Sequence, residues 1–341
     1  MKFGAFFLMQ SPGVRPTQEV YGNALEQMVL ADELGFDSVW IAEHHFSNYG
    51  YCPNPLPMAI KVAQVTKNVR IGTAVIVLPV WHPLRLAEDI AMADVLTEGR
   101  LEIGVGRGYQ KYEFDRMGLD IQENRQRSEE TLEVTLKALT SQSFTYEGQY
   151  FQIPETAIYP KSIQQPHPPF WIAATSPESV QSTVHRGLGM FTTGSGRPLS
   201  VVQETWGEFQ KALKMEGRDS YDEFAVQLQV HIADTDEEAR REMESPMWHY
   251  RMVTRLRGAT ERVEKGIAYI DPVDDEPTLD EMFDSRTISG SPKTAIEKLR
   301  KYTDSIGMTQ LNCVMALGGI DHEKVKHSMR LFAEHVMPHF K

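Results

Sequence analysis

Cysteine is nearly absent from this chain: Cys52 and Cys313 are the only two in 341 residues. That excludes a disulfide framework and any paired-cysteine metal spacing, and it suits a reducing compartment. Long basic stretches are missing too. Lys and Arg total 35 against 47 Asp and Glu, a formal net charge of -12. The basic bunches that exist, such as Arg251 to Arg257, are short and interrupted by apolar residues. A general nucleic-acid binder needs a basic stripe and is therefore excluded. No apolar run approaches the roughly 18 residues of a membrane span. The opening MKFGAFFLMQ enters a strand-like pattern without a signal-peptide layout. The expectation is a soluble, cytoplasmic protein that binds neither membrane nor nucleic acid. A chain of this length buries about 75 % of its unfolded surface, so core size is not limiting.

What is present is alternation. Short apolar runs recur, each followed by a longer amphipathic stretch, the pattern of repeated βα units. The strands predicted are Lys2 to Leu8, Ser38 to Glu43, Val69 to Leu78, Leu101 to Val105, Phe170 to Ala174, Met190 to Thr193, Ala225 to Ile232 and Gln310 to Leu317. Between them the pattern predicts helices over Thr17 to Leu34, Leu56 to Thr66, Pro83 to Leu96 and Asn124 to Thr140. Later helices cover Pro177 to Arg186, Leu199 to Met215, Asp236 onward, Pro292 to Ser305 and Asp321 to His335. Several open on Ser-Pro or Thr and close on Gly, as helix ends do. Eight units in one chain exceed an ordinary doubly wound sheet and predict a (β/α)8 TIM barrel with insertions, one domain over residues 1–341. One insertion, Phe144 to Ile153, reads as a small hairpin turning at Glu147-Gly148. The other, Arg257 to Ser289, is long, acidic and Pro-bearing, which predicts an active-site lid.

Barrel chemistry gathers at the C-terminal strand ends. Strand 2 ends in Glu43-His44-His45. Neighbouring side chains on a strand face opposite ways, so the two histidines cannot share a metal, and small Ala42 on the face of His44 suggests that His44 points inward. Strand 4 reads GRLEIGVGRG, with Gly104, Gly106 and Gly108 at alternate positions, a bare face for a flat ring. A dinucleotide fingerprint would need glycine where Tyr109 stands, so this is not a Rossmann loop. Arg107, of opposite parity, is placed to pair with an anion. After strand 5, IAATSPES brings Ala174, Thr175, Ser176 and Ser179 to a helix N-terminus, an anion site of backbone N–H groups and hydroxyls. Two anion devices on neighbouring strands predict a phosphorylated ligand. Phe6, Trp40, Trp81 and Trp248 supply aromatic surface, which suits a ring or alkyl chain better than a sugar.

The blocks GFDSVWIAEHHF, GTAVIVLPVWHPLRLAED, GRLEIGVGRG, IAATSPES and SGSPKTAIEKL make the chain resemble, almost end to end, the bacterial luciferase-like flavin-dependent monooxygenases, in particular their luciferase alpha-subunit branch. The resemblance implies a barrel that takes reduced FMN from a separate flavin reductase, forms a C4a-peroxyflavin with oxygen, and oxidises a small organic substrate such as an aldehyde or ketone. It implies His44 as the catalytic residue and Arg107, Ser176 and Ser179 as phosphate ligands. Ala74 and Val75 fall where the family has a non-proline cis peptide under the flavin ring, beside Gly106, Tyr109, Ala174 and Thr175. It also implies a homodimer packed through the helix Pro83 to Leu96. Two relatives in function compete: a deazaflavin-dependent oxidoreductase and a non-catalytic flavin-binding subunit. Gly106 stands where luciferase has a reactive cysteine, so no thiol chemistry carries over, and Thr175 replaces a glutamate.

Overall fold

The computed structural model describes residues 1–221 and 223–341. Eight parallel strands form the frame: β1 (Lys2–Phe7), β2 (Ser38–Ile41), β3 (Arg70–Val77), β4 (Leu101–Gly106), β5 (Phe170–Ala173), β6 (Gly189–Thr193), β7 (Phe224–Ile232) and β8 (Gln310–Val314). Each pairs with its sequence neighbours, β8 returns to β1, and Met190 to Thr193 pair with Phe224 to Gln227, so the sheet closes on itself. This is the (β/α)8 barrel. Strands covered on both faces have no solvent side, which is why they read as apolar runs and not as alternations. The helices around them are α1 (Thr17–Glu33), α2 (Pro55–Ala63), α3 (Pro83–Leu96), α4 (Lys111–Met117), α5 (Asn124–Thr140), α6 (Pro177–Arg186) and α7 (Leu199–Met215). They continue with α8 (Asp236–Arg241), α9 (Glu244–Gly258), α10 (Pro292–Thr303) and α11 (His322–Leu331). Side chains of Asn54, Ser176 and Ser291 cap α2, α6 and α10, each just ahead of a proline that the first helical position accepts.

Aromatic side chains plug the barrel. Trp40 meets Trp171 and Phe191 edge-on, with ring centroids 5.6 and 5.1 Å apart. This changes the reading of strand 4. A Cβ on Gly104 would strike the carbonyl of Thr73 and approach the Phe191 ring to 2.6 Å, so that glycine makes room for core, not for a ligand. Trp40 is likewise core, with no exposure.

The insertions are more structured than their sequences. Phe144–Glu147 and Gln152–Thr156 pair antiparallel, but the turn spans residues 148–151 in place of a tight bend at Glu147-Gly148. Its cause is Glu130 on α5, whose carboxylate accepts the backbone N–H groups of Gln149, Tyr150 and Phe151. The stretch from Arg257 to Ser289 contains a hairpin, Arg262–Glu264 with Ile267–Tyr269, and then a helical turn at Leu279–Glu281. It leads into a short strand, Ile288–Gly290, that adds to β7. Among the described residues no helix is long and apolar enough to cross a membrane.

The helix expected from Asp236 onward breaks in two at Glu242. That carboxylate bonds His231 of β7 and Lys324 of α11, tying three elements together. The His231 bond, against burial and with help from Lys324, holds its pKa down at about 2. A depressed carboxylate adds stability above its ordinary value of 4.5 and loses it as pH falls toward about 2. Glu242→Gln is therefore expected to lower the urea midpoint at neutral pH and to flatten its acid-side fall, as followed by circular dichroism.

Candidate active site

A cavity of about 240 Å³ opens at the C-terminal ends of the strands and receives residues from all eight strands or the turns that follow them, and from α9. His44, Ala74, Val75, Gly106, Arg107, Tyr109, Ala174 and Thr175 all line it; Ser176 and Ser179 lie just beyond, at the start of α6. Of the aromatic residues singled out above, Phe6 lines it. Trp81 donates to Glu43 instead. Trp248 faces a different cavity with Glu244 and Arg251, because α9 turns its neighbour His249 toward the barrel.

One wall is a slot. The register of β3 against β4 shifts between Thr73 and Ile76, and the Ala74–Val75 peptide between them is cis. Val75 leans across toward β4, so that a Cβ on Gly106 would lie 2.7 Å from its Cγ2. Real Cβ atoms do not approach that closely, so glycine is required there. Ala74, Ala173 and Ala174 keep the surrounding wall shallow, which leaves room for a flat ring. Gly106→Val is expected to fill this slot: a flat-ring cofactor should bind at least about tenfold more weakly, and because the new side chain must push Val75 aside, the melting temperature should fall by a few degrees as well, a cost on the order of overpacking. Fluorescence titration measures it.

The histidine pair separates, although β2 ends at Ile41, short of the predicted Glu43, and both histidines follow in irregular backbone. His44 lines the cavity at 9 % exposure, while His45 turns away and its Nε2 lies 2.9 Å from Glu43 Oε1. Glu43 also accepts from the Val77 backbone and the Trp81 indole. Burial raises the Glu43 pKa against these donors. Burial opposes the charged form of His45, yet the Glu43 bond and the Glu43 and Glu113 carboxylates carry its pKa above the ordinary value. Both shifts favour keeping a proton inside the pair.

Behind His44 is a helix that the sequence pattern did not reveal. From α4, Glu113 Oε1 accepts the His45 backbone N–H at 2.8 Å and lies 3.2 Å from His44 Nδ1. The Gln110 amide is 2.9 Å from the same Nδ1, and its oxygen, as oriented, has no partner although buried. A carboxylate beside Nδ1 calls for a hydrogen on it, and turning the amide lets its oxygen share that hydrogen. Nδ1–H is thereby fixed, and the Nε2 lone pair is free to work as a base.

At the rim, Arg107 projects from the end of β4, and Ser176 and Ser179 form a reciprocal capping box. Glu178, in the first turn of α6, shows the field there. Its carboxylate is drawn below its usual range by its own backbone N–H, by the Ser176 hydroxyl, and by the charges of Arg125 and Arg107. Arg125 of α5 thus lies near enough to the start of α6, with Arg107, to act on a charge there.

The fold and the cavity define a barrel with a shallow slot between β3 and β4, an arginine and a capped helix N-terminus beyond it, and a histidine between the cavity and a buried carboxylate. The model of the luciferase-like monooxygenases matches residues 1–309. The chain belongs to that family, and it is an enzyme, a monooxygenase. It is 29 % identical to the oxygenase component of the flavin-dependent trigonelline monooxygenase of Acinetobacter baylyi, over 100 % of this chain and 96 % of that protein. Among solved structures, monooxygenase RslO1 of Streptomyces bottropensis is similar with a TM-score of 0.88, 25 % identity and 100 % coverage of both chains. The oxygenating constituent of 3,6-diketocamphane monooxygenase from Pseudomonas putida, in complex with FMN, shares the fold at a TM-score of 0.81 and 24 % identity, covering 99 % of this chain and 98 % of that one.

Proposed function

We propose that this enzyme is the oxygenase of a two-component system, taking reduced FMN from a separate flavin reductase and placing one oxygen atom into a small organic substrate such as an aldehyde or ketone. The observation that carries this reading is the flat slot of β3 and β4 and the rim of Arg107 and Thr175, at the ends of the neighbouring strands β4 and β5, in the cavity that His44 lines. The residues present fit the cofactor. Ala74, Val75, Gly106 and Ala174 would hold its ring, and Tyr109 would close the edge. Arg107, Arg125, Thr175, Ser176 and Ser179 would hold its phosphate at the α6 N-terminus. Reduced FMN supplies, when bound, the electrons that activate oxygen.

The chain's own residues do the rest. His44 Nε2 takes a proton from the substrate side and returns it, while Glu113 and Gln110 hold the ring in one tautomer. Water must be kept out, and the segment 257–289 serves as the lid. Its hairpin is clamped by Asn48, whose backbone N–H donates to the Gly266 carbonyl and whose side-chain oxygen accepts from the Ala268 N–H, both at 2.9 Å. Half-exposed Met92, Val95 and Leu96 on α3 favour a homodimer through that helix; sedimentation tests it. Supply of reduced flavin by a reductase fits action in the cytoplasm.

The deciding experiment combines the protein, a flavin reductase, FMN and ¹⁸O₂ with a panel of aldehydes and cyclic ketones, with products read by mass. One labelled oxygen in product, dependent on this protein, is expected. Reduced FMN consumed with no labelled product across the panel, while a reduced deazaflavin transfers hydride, would overturn the reading.

A further inference from the structure

We propose that the substrate carries a carboxylate, held by Arg197 and Arg257 in the cavity that His44 lines. The proposal deepens the monooxygenase reading and rests on it. Arg197 follows β6 and is half-buried; Arg257 lies in the last turn of α9; both line the cavity that contains His44. Neither guanidinium has a hydrogen bond or ion pair among the described residues. Arg257 is instead laid over the Tyr109 ring, its Cζ 4.9 Å from the centroid, which holds it toward the cavity. Burial, and then the neighbouring Arg257 charge, press the Arg197 pKa down. Two like charges, one half-buried and one exposed, border a single cavity, and an anion between them offsets their repulsion.

The groups beside them are donors as well. The Ser195 hydroxyl is buried, lines the cavity and has no partner among the described residues. Gln10 fixes His249: its oxygen accepts the Gly318 N–H, so its amide nitrogen donates to His249 Nδ1 at 2.9 Å. The hydrogen of His249 is therefore on Nε2, which has no partner among the described residues. Burial, with the charges of His44 and Arg257, pushes its pKa down to about 3, so it stays a neutral donor. The two carboxylates that reach the cavity, Glu43 and Glu113, are engaged with His45 and His44. Arg197, Arg257, Ser195 and His249 thus offer side-chain donors that make no hydrogen bond among the described residues. A carboxylate supplies the acceptors and the charge, in the bidentate form that arginine recognises.

Isothermal calorimetry with benzoate against benzamide and octanoate against octanamide, on protein with and without FMN, tests this. At least one acid should bind about tenfold or more tightly than its amide. Arg197→Gln and Arg257→Gln should each abolish that preference while leaving FMN affinity within about twofold, and Arg197→Lys should restore part of it. Equal binding of every acid and amide would overturn the proposal. So would variants that lose FMN affinity instead, since the arginines would then belong to the cofactor. Failure of FMN to bind while the acid preference persists would count against the monooxygenase reading alone.

Discussion

Replacing His44 with alanine is expected to reduce product formation by roughly 10² to 10⁴, the range of a lost acid–base group, while FMN affinity stays unchanged. The His44 Nδ1 is held by Glu113 and Gln110, and its Nε2, unlike that of His249, is left toward the cavity without a hydrogen. Single-turnover product yield and an equilibrium flavin titration separate the two effects. Glu113→Gln should show a smaller loss of the same kind, because a neutral amide no longer fixes the hydrogen on Nδ1. Turnover that survives His44→Ala would remove the histidine from the chemistry.

The second large effect is on binding. Arg107→Met is expected to weaken FMN binding by roughly 10- to 100-fold, the worth of a charge-assisted hydrogen bond to phosphate, with little change for riboflavin, which lacks the phosphate. Arg125→Met should cost less, since its guanidinium is exposed and already 3.4 Å from Glu129. Fluorescence quenching of both flavins reads the difference. An equal loss for FMN and riboflavin would mean that Arg107 supports the ring, not the phosphate.

Much of this site is written in strand ends. The inward turn of His44 follows just past the end of β2, where side-chain alternation anticipated it although the strand itself stops at Ile41, and the Ser-Pro start of α6 announces a capped helix N-terminus. These are local rules, and the closed barrel enforces them. Parity says nothing of depth, which is why Gly104 joins the core against Phe191 while Gly106, two residues on, borders the slot. Residues that arrive from helices are harder to read. Glu113 sits on a seven-residue helix too short for a periodic pattern, and Arg125 looks like any charged residue at the start of α5. His249 and Trp248 differ by one position on α9, and only packing of that helix decides which faces the barrel. Arg197 lies in a loop without a motif. For the lid segment, an acidic, proline-bearing composition suggests loop, yet the hairpin forms because Asn48 supplies partners from 220 residues away.

The most direct test of the account is rapid mixing of oxygen with the protein already complexed to reduced FMN, followed by absorbance. The account predicts a tight complex with the reduced flavin and reoxidation in two resolved phases, slower than for free reduced FMN. Reoxidation at the rate of the free flavin, or binding of a deazaflavin with none of FMN, would contradict it.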